Sequence, residues 1–337
     1  MSEPRVAVIG GGSWGTALAD LLSRKGLDTV LWSYEQDVAD HIRRQHRNPR
    51  YLAEILLHDR LDATSDLGEA VAGAEVIVSV SPSHVVRSVM SQLTPSIRED
   101  ALVISASKGI EVDTLLTMDE VLAEVLPAGP GSRMAFLSGP SFALEVAQGH
   151  PTAVTMAATD PEVATRAQEL FQTDRFRVYT NDDVRGVELG GALKNVIAIA
   201  SGVVEGLGFG NNTRAALITR GLAEITRLGV TLGAHPRTFS GLAGMGDLIL
   251  TCTGALSRNR SVGIELAAGR TLEEILDGMT MVAEGVRTTR SARELAVSNE
   301  VEMPIVDAVH AVLYEGQSAR EAVENLMLRE PKPEVWS

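Results

Sequence analysis

The sequence predicts an α/β domain followed by an all-α domain. Short β-branched runs alternate with helical stretches through the first half, which is typical of a parallel sheet covered by helices. From about Glu188 the strand signals stop, and helical runs broken by glycine and proline follow. We therefore predict a doubly wound sheet in residues 1–187 and a helical domain in residues 188–337. A chain of 337 residues is long enough for two such domains.

The elements of the first half follow from β-branched runs and from helical stretches between them. The predicted strands are Arg5–Ile9, Thr29–Trp32, Val76–Ser79, Leu102–Ser105, Met134–Ser138, Ala153–Ala157 and Arg177–Tyr179. The helices between them include Gly15–Lys25, Asp37–Arg47, Val85–Leu93 and Thr114–Leu126.

The composition restricts the possible functions. The net charge of −14 opposes general nucleic-acid binding, so an anionic substrate must be held by local cations and backbone N–H groups. A single cysteine, Cys252, excludes an internal disulfide and a cysteine-rich metal site. No leader pattern opens the sequence, and no apolar run approaches the roughly 20 residues that cross a bilayer. We expect a cytoplasmic protein without a membrane span or a nucleic-acid partner.

A glycine-rich turn follows the first strand. Gly10, Gly12 and Gly15 form the pattern G-x-G-x-x-G between that strand and a helix of small residues. In dinucleotide-binding folds the first glycine permits a tight turn, the second lets backbone approach a pyrophosphate, and the third allows close helix–strand packing. The N-terminus of the helix provides donors for the anion. The alternative is an ordinary turn, but the flanking elements favour a dinucleotide site.

The choice between NAD and NADP stays open at the end of the second strand. The acidic residue expected about 20 residues after the glycines is absent, and Ser33 stands where NAD-specific folds tend to place Asp. Serine does not repel a 2′-phosphate, but no arginine adjoins it to bind one.

Three polar turns follow later strands, at the edge where ligands bind in open α/β sheets. They are Val80–His84, Ser105–Gly109, which includes Lys108, and Leu137–Ala143. Each one alone reads as an ordinary turn. Together, and with a cation among them, they favour a binding site.

A single lysine interrupts a long apolar helical stretch in residues 187–206. Apart from Lys194 and Asn195, the run from Gly190 to Val204 carries nothing more polar than Ser201. A helix that is apolar all round is buried, and burial lowers the pKa of a lysine toward the range of a proton-transfer catalyst. The alternative is a lysine that snorkels to solvent. The other motifs of the chain favour the catalytic interpretation.

Two further motifs belong to the helical half. Gly241–Asp247 reads as a glycine-rich loop that brings a carboxylate close to the site. Ser257 is a natural N-cap, and Arg258 follows it. Because arginine at a helix N-terminus opposes the macrodipole, this placement indicates an anion, such as a phosphate, bound there. The alternative is a capped surface helix with basic residues. Residues 282–289 read as a loop-to-helix junction.

Over essentially its whole length the chain resembles the bacterial-type NAD(P)-dependent glycerol-3-phosphate dehydrogenases. The motifs that carry the resemblance are GGGSWGTALA, SPSH, SKGIE, LSGPSFALEV, GGALKNVIAIASG, GLAGMGDLILTCT, SRNR and VAEGVRTT. The resemblance implies a Rossmann-type domain joined to a helical domain, with the active site in the cleft between them. It implies reversible reduction of dihydroxyacetone phosphate to sn-glycerol 3-phosphate for glycerophospholipid synthesis, with NAD or NADP as cofactor, and a homodimer.

The resemblance also implies site residues. Lys194 matches the proton donor and acceptor of the family, and Lys108 matches a lysine between nicotinamide and substrate. The expected substrate contacts are Lys108, Gly139, Ser141, Lys194, Asp247, Ser257, Arg258 and Asn259. The expected cofactor contacts are Gly10, Gly12, Ser13, Trp14, Gly15, Tyr34, Tyr51, Lys108, Ala143, Arg258, Val282 and Glu284. Many members have histidine or arginine where this chain has Tyr34, which argues against tight binding of a 2′-phosphate.

This reaction requires a group that moves a proton. An alcohol releases hydride only if its hydroxyl proton leaves at about the same time, so a base with a pKa near the working pH is needed. Lys194 fits if burial and the charge of Lys108 lower its pKa while Asp247 orients it. The cofactor carries the hydride. We expect no metal, because neither the histidines nor the acidic residues fall at a ligand spacing.

Two other functions share part of this pattern. A β-hydroxyacid or 6-phosphogluconate-type dehydrogenase has the same architecture and a helical lysine, but it binds a substrate carboxylate, and the SRNR and GDLILTCT segments oppose it. A nucleotide-sensing regulator would lack the buried lysine and would carry a basic DNA-binding segment, which this sequence does not show.

Overall fold

The computed structural model describes residues 3–279, 281–331, 333 and 334. Within these residues an eight-stranded sheet is followed by a helical domain. The strands are β1 (Arg5–Ile9), β2 (Asp28–Trp32), β3 (Asp62–Thr64), β4 (Val76–Ser79), β5 (Leu102–Ser105), β6 (Met134–Ser138), β7 (Thr152–Ala157) and β8 (Phe176–Asn181).

Helices cover the sheet and form the second half. In the first half they are α1 (Ser13–Arg24), α2 (Gln36–Gln45), α3 (Leu67–Val71), α4 (Ser83–Leu93), α5 (Met118–Val125), α6 (Ala128–Gly131), α7 (Ala143–Ala147) and α8 (Pro161–Phe171). After the sheet come α9 (Val184–Gly206), α10 (Asn211–Thr231), α11 (Pro236–Phe239), α12 (Asp247–Thr253), α13 (Arg258–Ala267), α14 (Leu272–Asp277), α15 (Glu284–Ser298), α16 (Pro304–Tyr314) and α17 (Ala319–Met327).

The sheet confirms the predicted doubly wound architecture, with one difference in strand direction. The strand order is β3-β2-β1-β4-β5-β6-β7-β8, and pairing is parallel from β3 through to β6. β7 then pairs antiparallel with β6 and parallel with β8. The last two strands therefore run opposite to the others, where the sequence predicted a parallel sheet. The short helix α7 replaces a full crossover between β6 and β7, so the chain returns antiparallel.

Both faces of the sheet are buried. Along β1, Val6 and Val8 belong to one apolar cluster, whereas Ala7 and Ile9 belong to another. This alternation follows the two-residue period of a strand. A third cluster forms the core of the helical domain around α9.

Several elements of the first half differ from the sequence prediction, and the helices α3, α6, α7 and α8 were not among those it named. The strand β3 was not predicted, because it has only three residues and begins with Asp62. The helix predicted from Thr114 begins at Met118. Leu115 has a φ of 61°, and Thr117 caps α5 in a capping box with Glu120. A left-handed residue cannot continue a helix, so the helix begins after it.

The helix α9 is the centre of the second half. It has 23 residues, and by length and composition it could cross a membrane, contrary to the expectation from the sequence. The apolar window that passes this test is entirely buried inside the fold, as the sequence predicted for this stretch. Since α9 begins at Val184, the predicted domain boundary at residue 187 falls in its first turn. That boundary stays a prediction.

Glycines let α13 pack closely on α9. A Cβ added to Gly202 would lie 2.0 Å from the carbonyl oxygen of Arg260, and one added to Gly263 would lie 2.0 Å from that of Ile199. Neither position has room for a side chain, so the two backbones are in direct contact. This contact places the start of α13 beside the middle of α9.

We expect Gly263→Ala to destabilise the protein by about 1–3 kcal/mol, because the new methyl group would push α13 away from α9. Urea denaturation measures this change. Gly278→Ala is a matched control: Gly278 has a φ of −82°, and its added Cβ would meet nothing closer than 3.6 Å. Both substitutions have similar effects on the unfolded chain. Equal stabilities of the two variants would contradict the close packing.

Candidate active site

The turn between β1 and α1 has the geometry of a dinucleotide-binding loop. Gly10 has a φ of 135°, and a Cβ there would lie 2.9 Å from the carbonyl carbon of Val80. A Cβ on Gly15 would lie 1.8 Å from the carbonyl oxygen of Gly10, so this position tolerates no side chain. By contrast, a Cβ on Gly12 would meet no atom within 4 Å. The open space in front of Gly12 fits the predicted approach of a pyrophosphate.

The N-terminus of α1 is free to bind an anion. Gly12 is its N-cap and provides no side-chain cap, and the first turn contains no acidic residue. The first N–H groups of a helix lack partners within it and carry a partial positive charge. The hydroxyl of Ser13 donates to the carbonyl oxygen of Tyr51 over 2.6 Å, which attaches the segment after α2 to this turn.

The end of β2 contains an acidic group that the sequence analysis missed. The carboxylate of Glu35 accepts from the hydroxyl of Ser33 at 3.1 Å and from that of Tyr51 at 2.6 Å. Burial opposes its charge, but these hydrogen bonds, with that of Tyr51 the strongest, hold the pKa of Glu35 below its usual range. Arg50 lies 3.4 Å from Glu35. Tyr34, between Ser33 and Glu35 in the sequence, is 84% exposed.

Three charged side chains from three elements meet at the carboxyl ends of the strands. The ammonium of Lys194 on α9 lies 2.7 Å from one carboxylate oxygen of Asp247 on α12. The ammonium of Lys108, in the turn after β5, lies 2.6 Å from the other oxygen. All three are largely buried. These three residues therefore lie together, as the sequence predicted, and the two lysines share one carboxylate.

This arrangement controls the ionisation of the site. Burial lowers the pKa of Lys194 to about 8, an effect to which Lys108 adds and which Asp247 opposes. Burial also opposes the charge of Asp247, but the two ammonium groups hold its pKa below the usual range. A lysine with a pKa near 8 exchanges protons readily near neutral pH. Lys194 does not snorkel to solvent, since only 8% of its side chain is exposed.

The segment before Asp247 is helical, whereas the sequence predicted a loop. Residues Leu242–Gly246 form one π-helical turn that continues into α12. A Cβ on Gly190 would lie 2.7 Å from the carbonyl oxygen of Ala243, so α9 and this turn are in close contact. π-helical turns are rare and occur frequently at functional sites. Here the turn directly precedes the shared carboxylate.

Thr251 is a member of the site that sequence reasoning missed. Its hydroxyl accepts from the ammonium of Lys194 at 2.7 Å and donates to the carbonyl oxygen of Asp247 at 2.6 Å. Thr251 follows Asp247 by four residues, so both lie on one face of α12. The four-residue spacing of Asp247 and Thr251 in the segment GDLILTCT was the available signal.

The turn after β6 provides an acceptor for Lys108. The carbonyl oxygen of Gly139 accepts from the Lys108 ammonium at 3.2 Å and from the hydroxyl of Ser141 at 3.0 Å. Gly139 has a φ of 132°, which favours glycine. Ala143 begins α7 and, like Trp14 on α1, packs against the core of the sheet domain.

The start of α13 has the predicted cap and a free cation. Ser257 caps the helix by accepting from the backbone N–H of Arg260 at 3.3 Å. Arg260 itself pairs with Glu205. Arg258 is exposed as a residue and forms no hydrogen bond or ion pair with any residue that the structure describes, but burial of its guanidinium lowers the pKa of the group, and the charge of Glu284 opposes that shift. Its guanidinium and the N-terminus of α13 are therefore available to an anion.

Asn259 has a different environment from its neighbour. Its amide donates to the side-chain oxygen of Asn195 at 2.9 Å, and its own oxygen accepts from the N–H of Gly285 at 2.9 Å. It is 8% exposed. In this structure Asn259 thus connects α9, α13 and α15.

Glu284 joins the helical domain to the sheet domain. Its carboxylate accepts from the backbone N–H of Ser83 at 3.1 Å and from the Ser83 hydroxyl at 2.7 Å. Ser83 begins α4, so the carboxylate lies at a helix N-terminus. Val282, two residues earlier, is 36% exposed.

The structure thus groups the expected site residues in two regions. Lys108, Gly139, Ser141, Lys194 and Asp247 form one connected cluster. The glycine turn with Ser13 and Tyr51 forms the second. Tyr34 and Val282 are exposed, and neither side chain forms a hydrogen bond with these two clusters in the described part of the chain. Within the described parts of the chain, no group of three His, Cys, Asp or Glu side chains could hold a metal ion.

The chain matches two family models that together span most of its length. Residues 5–164 match the N-terminal part of NAD-dependent glycerol-3-phosphate dehydrogenase, and residues 183–324 match its C-terminal part. A protein of Citrifermentans bemidjiense is 59% identical over 330 residues, 98% of each chain. One of Geobacter sulfurreducens is 56% identical over 336 residues, all of both chains. Both bear the name glycerol-3-phosphate dehydrogenase with NAD(P)+ as cofactor.

Solved structures agree with these relatives. A glycerol-3-phosphate dehydrogenase of Coxiella burnetii has a TM-score of 0.93 at 40% identity and covers 97% of this chain and 99% of its own. The enzyme of that name from Saccharomyces cerevisiae has a TM-score of 0.81 at 30% identity, with 96% and 99% covered.

We expect Lys194 to titrate near pH 8 in the folded protein. Nuclear magnetic resonance of lysine labelled with ¹³C at Cε measures this directly, because the sequence has only four lysines. Lys194→Met identifies the resonance. Lys108→Met should raise the pKa of Lys194 by removing a like charge, and Asp247→Asn should lower it by removing an opposite charge. A titration of Lys194 near 10.5 would contradict the role of burial.

Proposed function

The chain belongs to the NAD-dependent glycerol-3-phosphate dehydrogenase family, and on that basis we propose how its residues carry out the reaction. It is an NAD(P)-dependent oxidoreductase that interconverts dihydroxyacetone phosphate and sn-glycerol 3-phosphate. We propose Lys194 as the proton donor and acceptor of this reaction. The observation that carries the proposal is the buried Lys194 ammonium, 2.7 Å from Asp247 and with a pKa of about 8.

In the reduction, the Lys194 ammonium donates its proton to the oxygen that was the substrate carbonyl. In the oxidation, neutral Lys194 accepts the proton of the secondary hydroxyl. Asp247 and Thr251 orient the amine in both directions through their hydrogen bonds. Lys108 holds a second positive charge at the site, which stabilises the negative charge that develops on the oxygen. NAD(P)H, when bound, supplies the hydride.

We place the substrate phosphate at the start of α13. Ser257 caps the N–H of Arg260, but the other N–H groups of the first turn lack partners within the helix, and the guanidinium of Arg258 lies beside them. Gly139, Ser141 and Asn259 complete the proposed substrate contacts. Because the chain has a net charge of −14, the general field repels an anion, and these local groups must bind it. Asn259 must exchange a hydrogen bond with Asn195 or Gly285 if it contacts the phosphate directly.

The residues around the glycine turn fit a dinucleotide. The pyrophosphate would lie against Gly12 and the N-terminus of α1. The other residues that we propose as cofactor contacts are Gly10, Ser13, Trp14, Gly15, Tyr34, Tyr51, Lys108, Ala143, Arg258, Val282 and Glu284. Glu35 adds negative charge beside Ser33, and Arg50 balances it. We therefore propose that the enzyme uses both NADH and NADPH.

The wider setting follows from the family rather than from the site. We propose that the enzyme works as a homodimer in the cytoplasm and supplies sn-glycerol 3-phosphate for phospholipid synthesis.

The purified protein should oxidise NADH and NADPH with dihydroxyacetone phosphate, with a preference for one cofactor below about 100-fold, or 2.7 kcal/mol.

Lys194→Ala should lower kcat at least about 10²-fold because the proton donor is lost. In the wild type, the reduction should slow as pH rises through about 8, where Lys194 loses its proton. Lys25→Ala, on the surface at the end of α1, is the control and should keep full activity. Near-normal turnover of Lys194→Ala would remove Lys194 from the mechanism.

Arg258→Ala should raise KM for dihydroxyacetone phosphate steeply and affect unphosphorylated dihydroxyacetone much less, because only the former uses the contact. Part of the loss should appear in kcat, since binding energy at the phosphate also positions the reacting carbon. The ratio of kcat/KM between the two substrates measures this effect. Arg270→Ala, beyond the other end of α13, is the control. An equal fractional loss for both substrates would show that Arg258 does not bind the phosphate.

A further inference from the structure

A small cavity lies beside Lys108, between the ends of β5 and β6 and the first turns of α9. Ser105, Lys108, Ser138, Glu188 and Gly191 are among the residues that line it. Its volume is about 10 Å³, close to the space that one water molecule occupies. The proposed reaction gives this cavity no role.

Two buried hydroxyl groups on the cavity wall need a partner. Ser105 is 2% exposed and Ser138 is 5% exposed. Neither Oγ atom has a hydrogen-bond partner among the residues described by the structure. Ser105 ends β5 and pairs in register with Phe136 of the neighbouring β6, so Ser138, two residues further along β6, lies on the same face. A buried hydroxyl without a partner is costly, and ordered water is the usual partner at such positions.

Glu188 adds a polar group without adding a charge. Its carboxyl group accepts from the backbone N–H of Asp119 on α5 at 3.0 Å. Burial raises the pKa of Glu188 well above its usual range, Asp119 adds to this shift, and Arg185 on α9 opposes it. A protonated carboxyl group both donates and accepts. The proton of Glu188 is donated to the side chain of Asp119, so Glu188 can bind a water molecule only as an acceptor. Because it is neutral, it leaves the charge balance of the nearby Lys108 undisturbed.

Gly191 keeps this space open. A Cβ added to it would lie 2.7 Å from the Oγ of Ser138 and 3.6 Å from Cγ and Cδ of Lys108. A side chain on α9 at this position would thus enter the gap between the two residues. The Gly139 carbonyl that accepts from Lys108 directly follows Ser138.

We propose that this cavity is a site for one internal water molecule, bound by Ser105, Ser138 and Glu188, and that it positions Lys108. The water fixes the end of β6 and hence the Gly139 carbonyl, and it packs against the stem of Lys108. The ammonium is then held toward both Gly139 and Asp247. Ser138 and Glu188 are positioning residues in this arrangement, and their effect on catalysis rests on the proposed function of Lys108.

A crystal structure of the full chain at high resolution tests the site itself. We expect one water peak within hydrogen-bond distance of the Oγ atoms of Ser105 and Ser138. A cavity without electron density would overturn the proposal, whatever the activity of the variants. This readout does not depend on whether Lys108 acts in catalysis.

Kinetics test the positioning. Ser138→Ala and Gly191→Ala should each lower kcat/KM for dihydroxyacetone phosphate by about tenfold, since small displacements of a catalytic group have effects of this order or larger. The pH at which the reduction slows, which we assign to Lys194, should rise, because a displaced Lys108 no longer lowers the pKa of Lys194. The other titratable groups that act on Lys194 are Asp247 and Cys252. Ser132→Ala, before β6 and outside the cavity, is the control. Wild-type kinetics with an unchanged pH dependence in Ser138→Ala would overturn the proposal, even if Gly191→Ala does not fold.

Glu188→Gln separates positioning from proton transfer. Glutamine is neutral, donates and accepts as the protonated acid does, and should keep kcat/KM within about threefold of wild type. A much larger loss would mean that Glu188 must ionise, which contradicts the proposal. Lys108→Met distinguishes this inference from the proposed function. Full activity of Lys108→Met would remove Lys108 from the reaction. A loss of activity in Lys108→Met, together with wild-type activity in Ser138→Ala, would overturn only the positioning of Lys108 by the cavity.

Discussion

The buried carboxylate of Asp247 is the group on which the rest of the site depends. A charge that leaves water is stable only with close partners, and Asp247 has two ammonium groups at 2.6 and 2.7 Å. These partners come from different parts of the chain, Lys108 from the edge of the sheet and Lys194 from α9. The ion pairs therefore form only when the helical domain packs onto the sheet. Two cations and one anion also leave a net positive charge, which suits a phosphorylated substrate in a protein of net charge −14.

Close backbone packing makes this meeting possible. Gly190 admits the π-helical turn that precedes Asp247, and Gly191 leaves room beside Lys108. Gly202 and Gly263 bring α13, with Arg258 at its start, against the same helix. The long apolar helix α9 thus has two roles. It forms the core of the second domain, and its glycines set the distances between the elements of the site. Glycine is costly inside a helix, so the several glycines of α9 indicate packing requirements of this kind.

The sequence predicted those features that depend on local signals. The glycine turn after β1, the Ser257 cap and the buried Lys194 each depend on a few neighbouring residues, and the structure has all three. The features that it did not predict depend on distant contacts. The direction of β7, the π-helical turn and the Lys194–Thr251 hydrogen bond require knowledge of which elements pack together. Glu35 was missed although its signal is local, because the motif assigns the acidic residue to the position of Ser33, two residues earlier.

Asn259 shows why a residue's role is not settled by its motif alone. Family resemblance implies a substrate contact, yet its amide joins Asn195, the neighbour of Lys194, to the N–H of Gly285. Glu284 directly precedes Gly285 in the chain, and its carboxylate accepts two hydrogen bonds from Ser83 in the sheet domain. An unbroken path of hydrogen bonds and peptide units therefore runs from Ser83 in the sheet domain to α9, the helix of Lys194. A ligand that engages Glu284 or Asn259 must replace a hydrogen bond of this path, so binding in the cleft and the position of α9 depend on the same few polar contacts.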